Sequence, residues 1–128
     1  MLFRKIGSKI KVSFSCDELE MTQQLFNYVL SQIDNKSAAA KLKLPKDTFE
    51  ELYIFFDKLF KQHDKNTKMI EVDFDEKKLK SFYSAFRFAA DYTEEWEFPI
   101  VTGYQWANAT SIMQDMQHSL SLPEIEQT

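Results

Sequence analysis

Few residues in this 128-residue chain have types and spacing suited to chemistry. Cys16 falls in the first turn of a predicted helix, where the helix dipole can lower a thiol pKa and make a nucleophile. Asp17 and Glu18 beside it favour the protonated thiol. Neither His63, in "KQHDK", nor His118, in "MQHSL", is near it in sequence. The expected reading is a structural or incidental cysteine. Two histidines and one cysteine cannot assemble a thiolate-rich zinc site, and neither histidine belongs to a paired-ligand motif, so no metal is expected. Glu71, Asp73 and Asp75 alternate along "EVDFD", a spacing that could hold a hard cation or serve as a carboxylate pair. Strand alternation alone puts such charges in solvent, so they are read as a secondary acidic face. There is no G-x-G-x-x-G, Walker-type loop or G-x-S-x-G, and glycine stands only at 7 and 103. No cofactor is expected, and the chain reads as a non-enzyme.

Two connectors differ in kind. "KSAAAKLKLPK" carries Lys36, Lys41, Lys43 and Lys46 without the arginines and interleaved aromatics of nucleic-acid sites, and reads as a solubilising loop. "ADYTEEWEFPIVTGYQW" instead mixes acids with large aromatics and contains both tryptophans. Tyrosine and tryptophan anchor interfaces, and an acidic rim steers a basic partner. Asp91, Tyr92, Glu94, Glu95, Trp96, Glu97, Phe98 and Tyr104 are therefore the candidate partner-binding residues. The rival reading makes Trp96, Phe98, Ile100 and Val101 a core plug between helices, or a short extra strand, with Tyr92 or Tyr104 still exposed.

The composition has to support elements that position these residues. A 44% hydrophobic, 15% aromatic chain of this length fits one domain with ample core, and twelve Phe against two Gly and three Pro favour helices over a many-turned sandwich. No apolar run approaches a spanning segment or a signal peptide, so the expectation is a cytoplasmic protein off the membrane. The net charge of −4 argues against direct nucleic-acid binding. It divides unevenly: residues 1–63 carry 10 basic and 8 acidic side chains, residues 64–128 carry 6 and 12.

Alternation of Ile10, Val12 and Phe14 predicts a half-buried strand, and Ile70, Val72 and Phe74 predict another. Ser15 with Glu18 forms a capping-box pattern opening a helix to about Gln32 or Ile33, striped by Leu19, Thr22, Phe26, Val29 and Ile33. Asp47 or Thr48 caps a second helix with Phe49, Leu52, Tyr53, Phe56, Leu59 and Phe60 on one face. Asp75 caps a third, striped by Leu79, Phe82, Tyr83, Phe86 and Ala89 or Ala90. A fourth runs from about Gln105 to Leu120 with Ala109, Ile112, Met113, Met116 and Leu120, and Pro123 ends it. "LFRKI" and "KIKVSF" around Gly7-Ser8 suit a two-residue hairpin, which makes a third strand.

At a constant offset of sixty, "IKVSFSCDEL" echoes "IEVDFDEKKL", with identities at Ile10/Ile70, Val12/Val72, Phe14/Phe74, Leu19/Leu79 and Phe26/Phe86. A shared binary pattern could produce these by coincidence. As a true repeat they predict two strand-helix-helix units, residues 9–63 and 69–120, packed about a pseudo-two-fold axis with antiparallel strands. A parallel pair with a right-handed crossover competes.

The expectation is thus an α+β fold: a small two- or three-stranded sheet with about four helices, a single domain over 1–120 and a short flexible tail at 121–128. The expected function is a non-enzymatic protein-binding module, a modulator or inhibitor, that engages a basic protein surface through the segment 91–106. A homodimer on the same aromatic surface is a further option. The alternative is a small-molecule or catalytic pocket lying between the two units.

Overall fold

The computed structural model describes residues 1–32, 46–63 and 68–125, and for Lys46 and residues 121–125 the backbone alone. Strands β1 (Leu2–Ile6) and β2 (Lys9–Phe14) form a hairpin closed by Gly7-Ser8, with Ile6 opposite Lys9. Gly7 has φ +60 and Ser8 does not share the positive φ, so the glycine takes the one left-handed position that a Gly-first hairpin turn needs. Helix α1 (Cys16–Gln32) follows. The Ser15 amide donates to Glu18 Oε1 at 2.9 Å and the Glu18 amide donates to Ser15 Oγ at 3.1 Å, completing the expected capping box.

Helix α2 (Lys46–Gln62) starts one residue before the predicted cap residues. Ile33 and Lys36, Lys41 and Lys43 of the basic connector lie outside the described residues, while Lys46 is the first residue of α2. Strand β3 (Ile70–Asp75) leads into α3 (Glu76–Tyr92), where the Asp75 carboxylate accepts from the Lys78 amide at 2.7 Å. A short helix α4 (Phe98–Thr102) comes next, where the sequence allowed a short strand. Helix α5 (Trp106–Ile125) closes the described chain. It runs beyond the expected end at Leu120 and through Pro123, which interrupts only the last turn by lacking one amide donor.

The sheet order is β1-β2-β3, antiparallel throughout, so the parallel crossover does not occur. The duplication extends from sequence to elements. Helices α1 and α3 start and end sixty residues apart, and α2 and α5 start sixty apart. In the β2–β3 ladder Val12 faces Val72, so each residue of the central pair faces its own repeat counterpart. Ile10 opposite Phe74 then becomes the counterpart of Phe14 opposite Ile70. Packing follows suit: α1 lies on α2 as α3 lies on α5, and α1 meets α3 across the axis. Phe26 and Phe86, counterparts of each other, touch there with ring centroids 6.4 Å apart.

Burial obeys the same rule. Leu19 and Leu79, Leu25 and Ala85, Val29 and Ala89, Leu52 and Ile112, Phe56 and Met116 are buried in both units. One strand-helix-helix unit exposes an apolar sheet face and an apolar helix stripe, and each unit covers the other's. The result is one core of Phe14, Phe26, Phe56, Phe74, Phe82 and Phe86, with ring pairs such as Phe56–Phe82 at 4.7 Å.

Candidate functional site

The connector between α3 and α5 is built from helical turns. Thr93 caps α3 by donating its amide to the Ala89 carbonyl. The amides of Glu97 and Phe98 both return to the Glu94 carbonyl, and the Ile100 amide returns to Glu97. Pro99 sits in the first turn of α4, where its missing donor costs nothing, and Gly103 ends the helix at φ +79. This winding sorts side chains by helical period. Phe98 and Thr102, four apart, are buried; Trp96 and Ile100, also four apart, are 67% and 75% exposed.

The eight predicted residues therefore divide. Phe98 is not a contact residue: it is fully buried, its ring set edge-on to Trp106 at 5.4 Å, and it fixes the connector to the core. That half of the core-plug reading holds, while Trp96 and Ile100 stand outside it. Asp91, Glu94, Glu95 and Trp96 are exposed, and the Trp96 indole donates to the Glu94 carboxylate. Tyr92 is half-buried and stacks on Phe88 at 5.9 Å. Glu97 accepts from the Tyr28 hydroxyl at 3.1 Å; burial first, then that carboxylate, raises the Tyr28 pKa. Tyr104 donates to Asp17 Oδ1 at 3.3 Å. Burial, reinforced by the carboxylates of Glu20 and Asp17, pushes it up to about 12.

The secondary face is displayed as expected, with Glu71, Asp73 and Asp75 exposed on the outer side of β3. Lys11 lies directly opposite Asp73 and its Nζ reaches Glu71 at 3.5 Å. Cys16 is half-buried at the start of α1. His63 Nδ1 lies 2.8 Å from the Leu59 carbonyl, and His118 is exposed on α5. Among the described residues no group of three or more His, Cys, Asp or Glu is placed to hold a metal ion, and no helix is long and apolar enough to cross a membrane.

Between the two units, where the alternative reading expected a pocket, lies a pair of clefts related by the repeat, whose lining the sequence reading did not name. One of about 290 Å³ opens between α1 and α5, another of about 440 Å³ between α2 and α3. From the first helices Ser15, Asp17, Glu18 and Met21 line one, and their counterparts Asp75, Lys77, Lys78 and Ser81 line the other. From the second helices Asn108, Ser111, Ile112 and Asp115 match Thr48, Glu51, Leu52 and Phe55. Every lining residue of the larger cleft is thus the image of one in the smaller. Two charges invert, Asp17 and Glu18 becoming Lys77 and Lys78, while Ser15 and Ser111 become Asp75 and Glu51 and Asp115 becomes Phe55. Met1 and Tyr104 close only the α1–α5 cleft, the Met1 amine pairing with Glu18. In the other, Lys78 Nζ lies over the Phe55 ring at 4.0 Å. The signal was present in the sixty-residue offset, but a cleft needs the packing angle of helices far apart in sequence.

No family model, curated protein or solved structure matches the chain.

Proposed function

We propose that the protein is a non-enzymatic binding module, a modulator of a protein partner, that docks a basic surface on the α3–α5 connector. The observation that carries this reading is the large exposure of Trp96 and Ile100, four apart in a segment wound as helical turns, with Asp91, Glu94 and Glu95 exposed in the same segment. Burying a tryptophan and an isoleucine side chain on association is worth about 2–3 kcal/mol each, enough for a central anchor. The acids set orientation and encounter rate rather than depth of binding. Phe98, locked in the core, holds the platform rigid and spares the partner an ordering cost.

Site-directed photocrosslinking from position 100 tests the reading, with affinity capture by the wild type and by Trp96→Ala and Glu95→Lys variants. A partner crosslinked at 100 and lost from both variants, while circular dichroism stays native, supports it. Identical recovery by all three baits removes the connector from the binding site.

The small-molecule alternative draws on the two clefts. They flank the axis instead of lying on it, because Phe26 and Phe86 fill the axis itself.

A further inference from the structure

The repeat makes one half of the molecule a template for the other, and one element has no counterpart. Strand β1 pairs with the outer edge of β2 and packs against α5. Its image would pair with the outer edge of β3 and pack against α2. Its counterpart positions in the chain would be 62–66, of which Gln62 belongs to α2. Thr67 also stands where the hairpin needs Gly7. Among the described residues none pairs with the outer edge of β3.

Among the described residues, two observations set this edge apart from its counterpart. Val12, on the central strand with β1 paired beside it, is fully buried, whereas its counterpart Val72 remains partly exposed. The wall of the slot has also changed character. Where β1 meets Asp115, His118 and Ser119 of α5, the image positions on α2 are Phe55, Lys58 and Leu59, two of them large and apolar.

We propose that the outer edge of β3, with the slot beside α2, receives an extended basic strand of a partner protein, added antiparallel to β3 as β1 is added to β2. The register of β1 transfers directly. A guest residue facing Val72 points into the slot as Phe3 does over Val12 and should be apolar. Its neighbours on either side face Asp73 and Glu71 and should be lysine or arginine. Backbone pairing supplies affinity, and the acidic column supplies selection. A second copy joined through β3 is opposed, since it would set Glu71, Asp73 and Asp75 against the same row. This site does not depend on the connector surface.

The test uses a synthetic peptide, acetyl-Lys-Phe-Arg-Val-Lys-Val-Lys-amide, titrated into the full chain and followed by amide NMR shifts and hydrogen exchange. The expected result is saturable shifts along 70–75 and at Phe55 and Leu59, with slowed exchange of the outward β3 amides. Asp73→Lys should weaken the peptide about fivefold or more by turning one cross-strand attraction into repulsion. The same variant should favour a peptide in which glutamate replaces the basic residues, and Glu71→Gln serves where Asp73→Lys does not fold. Glu94→Lys should leave the peptide's affinity unchanged. The proposal is overturned if the outward β3 amides are already protected in the free protein, or if the shifts map elsewhere. It is equally overturned if Asp73→Lys binds the basic peptide as the wild type does, or if light scattering shows a β3-dependent dimer.

Discussion

Replacing Phe26 by alanine tests whether the two units share one core. Phe26 is fully buried on the axis, with ring centroids 5.0 Å from Phe49, 6.0 Å from Phe56, 6.3 Å from Phe82 and 6.4 Å from Phe86. Two of those partners belong to each unit. Truncating a buried phenylalanine costs about 3–5 kcal/mol. The upper part of that range is expected, because the surrounding rings, held on α2 and α3, cannot collapse into the void. With a urea slope of roughly 2 kcal/mol per molar, the midpoint should fall by about 2 M. Phe26→Leu keeps most of the volume and should lose roughly half as much, which retains a folded baseline if the alanine variant unfolds outright. Ile54→Ala, at a side chain 61% exposed on α2, should change stability by less than about 0.5 kcal/mol. Unfolding monitored by tryptophan fluorescence reports the second unit, which contains both tryptophans, and far-UV circular dichroism reports both units. The two curves should coincide for wild type and variant. A loss below about 2 kcal/mol for Phe26→Ala, or a circular dichroism transition displaced from the fluorescence one, would refute a single core shared across the axis.

Removing the counterpart caps, Ser15→Ala on α1 and Asp75→Ala on α3, should each cost about 1 kcal/mol by chemical denaturation, since each leaves a helix amide unsatisfied. A Cβ on Gly7 meets no atom within 4 Å, so Gly7→Ala should cost only the left-handed backbone penalty, about 1–2 kcal/mol, measured the same way. Because the fold favours the protonated Tyr104 phenol, its contribution to stability is present below pH 10 and declines as the pH rises from there through about 12. Tyr104→Phe should flatten that alkaline decline, and Asp17→Asn should bring the late phenol in an absorbance titration back towards 10.

What could be read from the sequence was local or repeated. The capping box, the Gly7 hairpin and the strand alternation depend on residues within four positions of one another, and all three appear as written. The duplication was legible because its identities fall on core positions, where replacement is costly. Sequence alone did not divide the connector, because the inward side of 96–102 depends on the helical turns that Pro99 and Gly103 delimit. Ile100, grouped with the core, points out while Phe98 points in. Pro123 does not end the last helix, because near a C-terminus a proline removes one donor and leaves the next turn possible. The lining of the clefts was not legible because each is formed by residues more than eighty, or about thirty, positions apart.

The two units agree in which positions they bury and disagree in how those positions are filled. Thr22 corresponds to Phe82, Leu25 to Ala85, and Phe49 to Ala109, each pair buried on both sides. Bulk missing from one member of a pair is present in the other, so the volumes balance across the axis only when the two units are together; two copies of either alone would clash or leave voids. The same divergence on the surface turns Lys11 into Glu71, Asp17 into Lys77, Glu18 into Lys78 and Glu20 into Lys80. Every one of these pairs is a reversal of charge at a conserved place in the architecture. A partner that fits one cleft or sheet edge electrostatically would therefore meet a different charge pattern at its image, since the scaffold presents two shapes alike in backbone but unlike in charge. With β1 covering one edge and no described strand on the other, the strand-like partner proposed above would have one edge to join and not its pseudo-symmetric image.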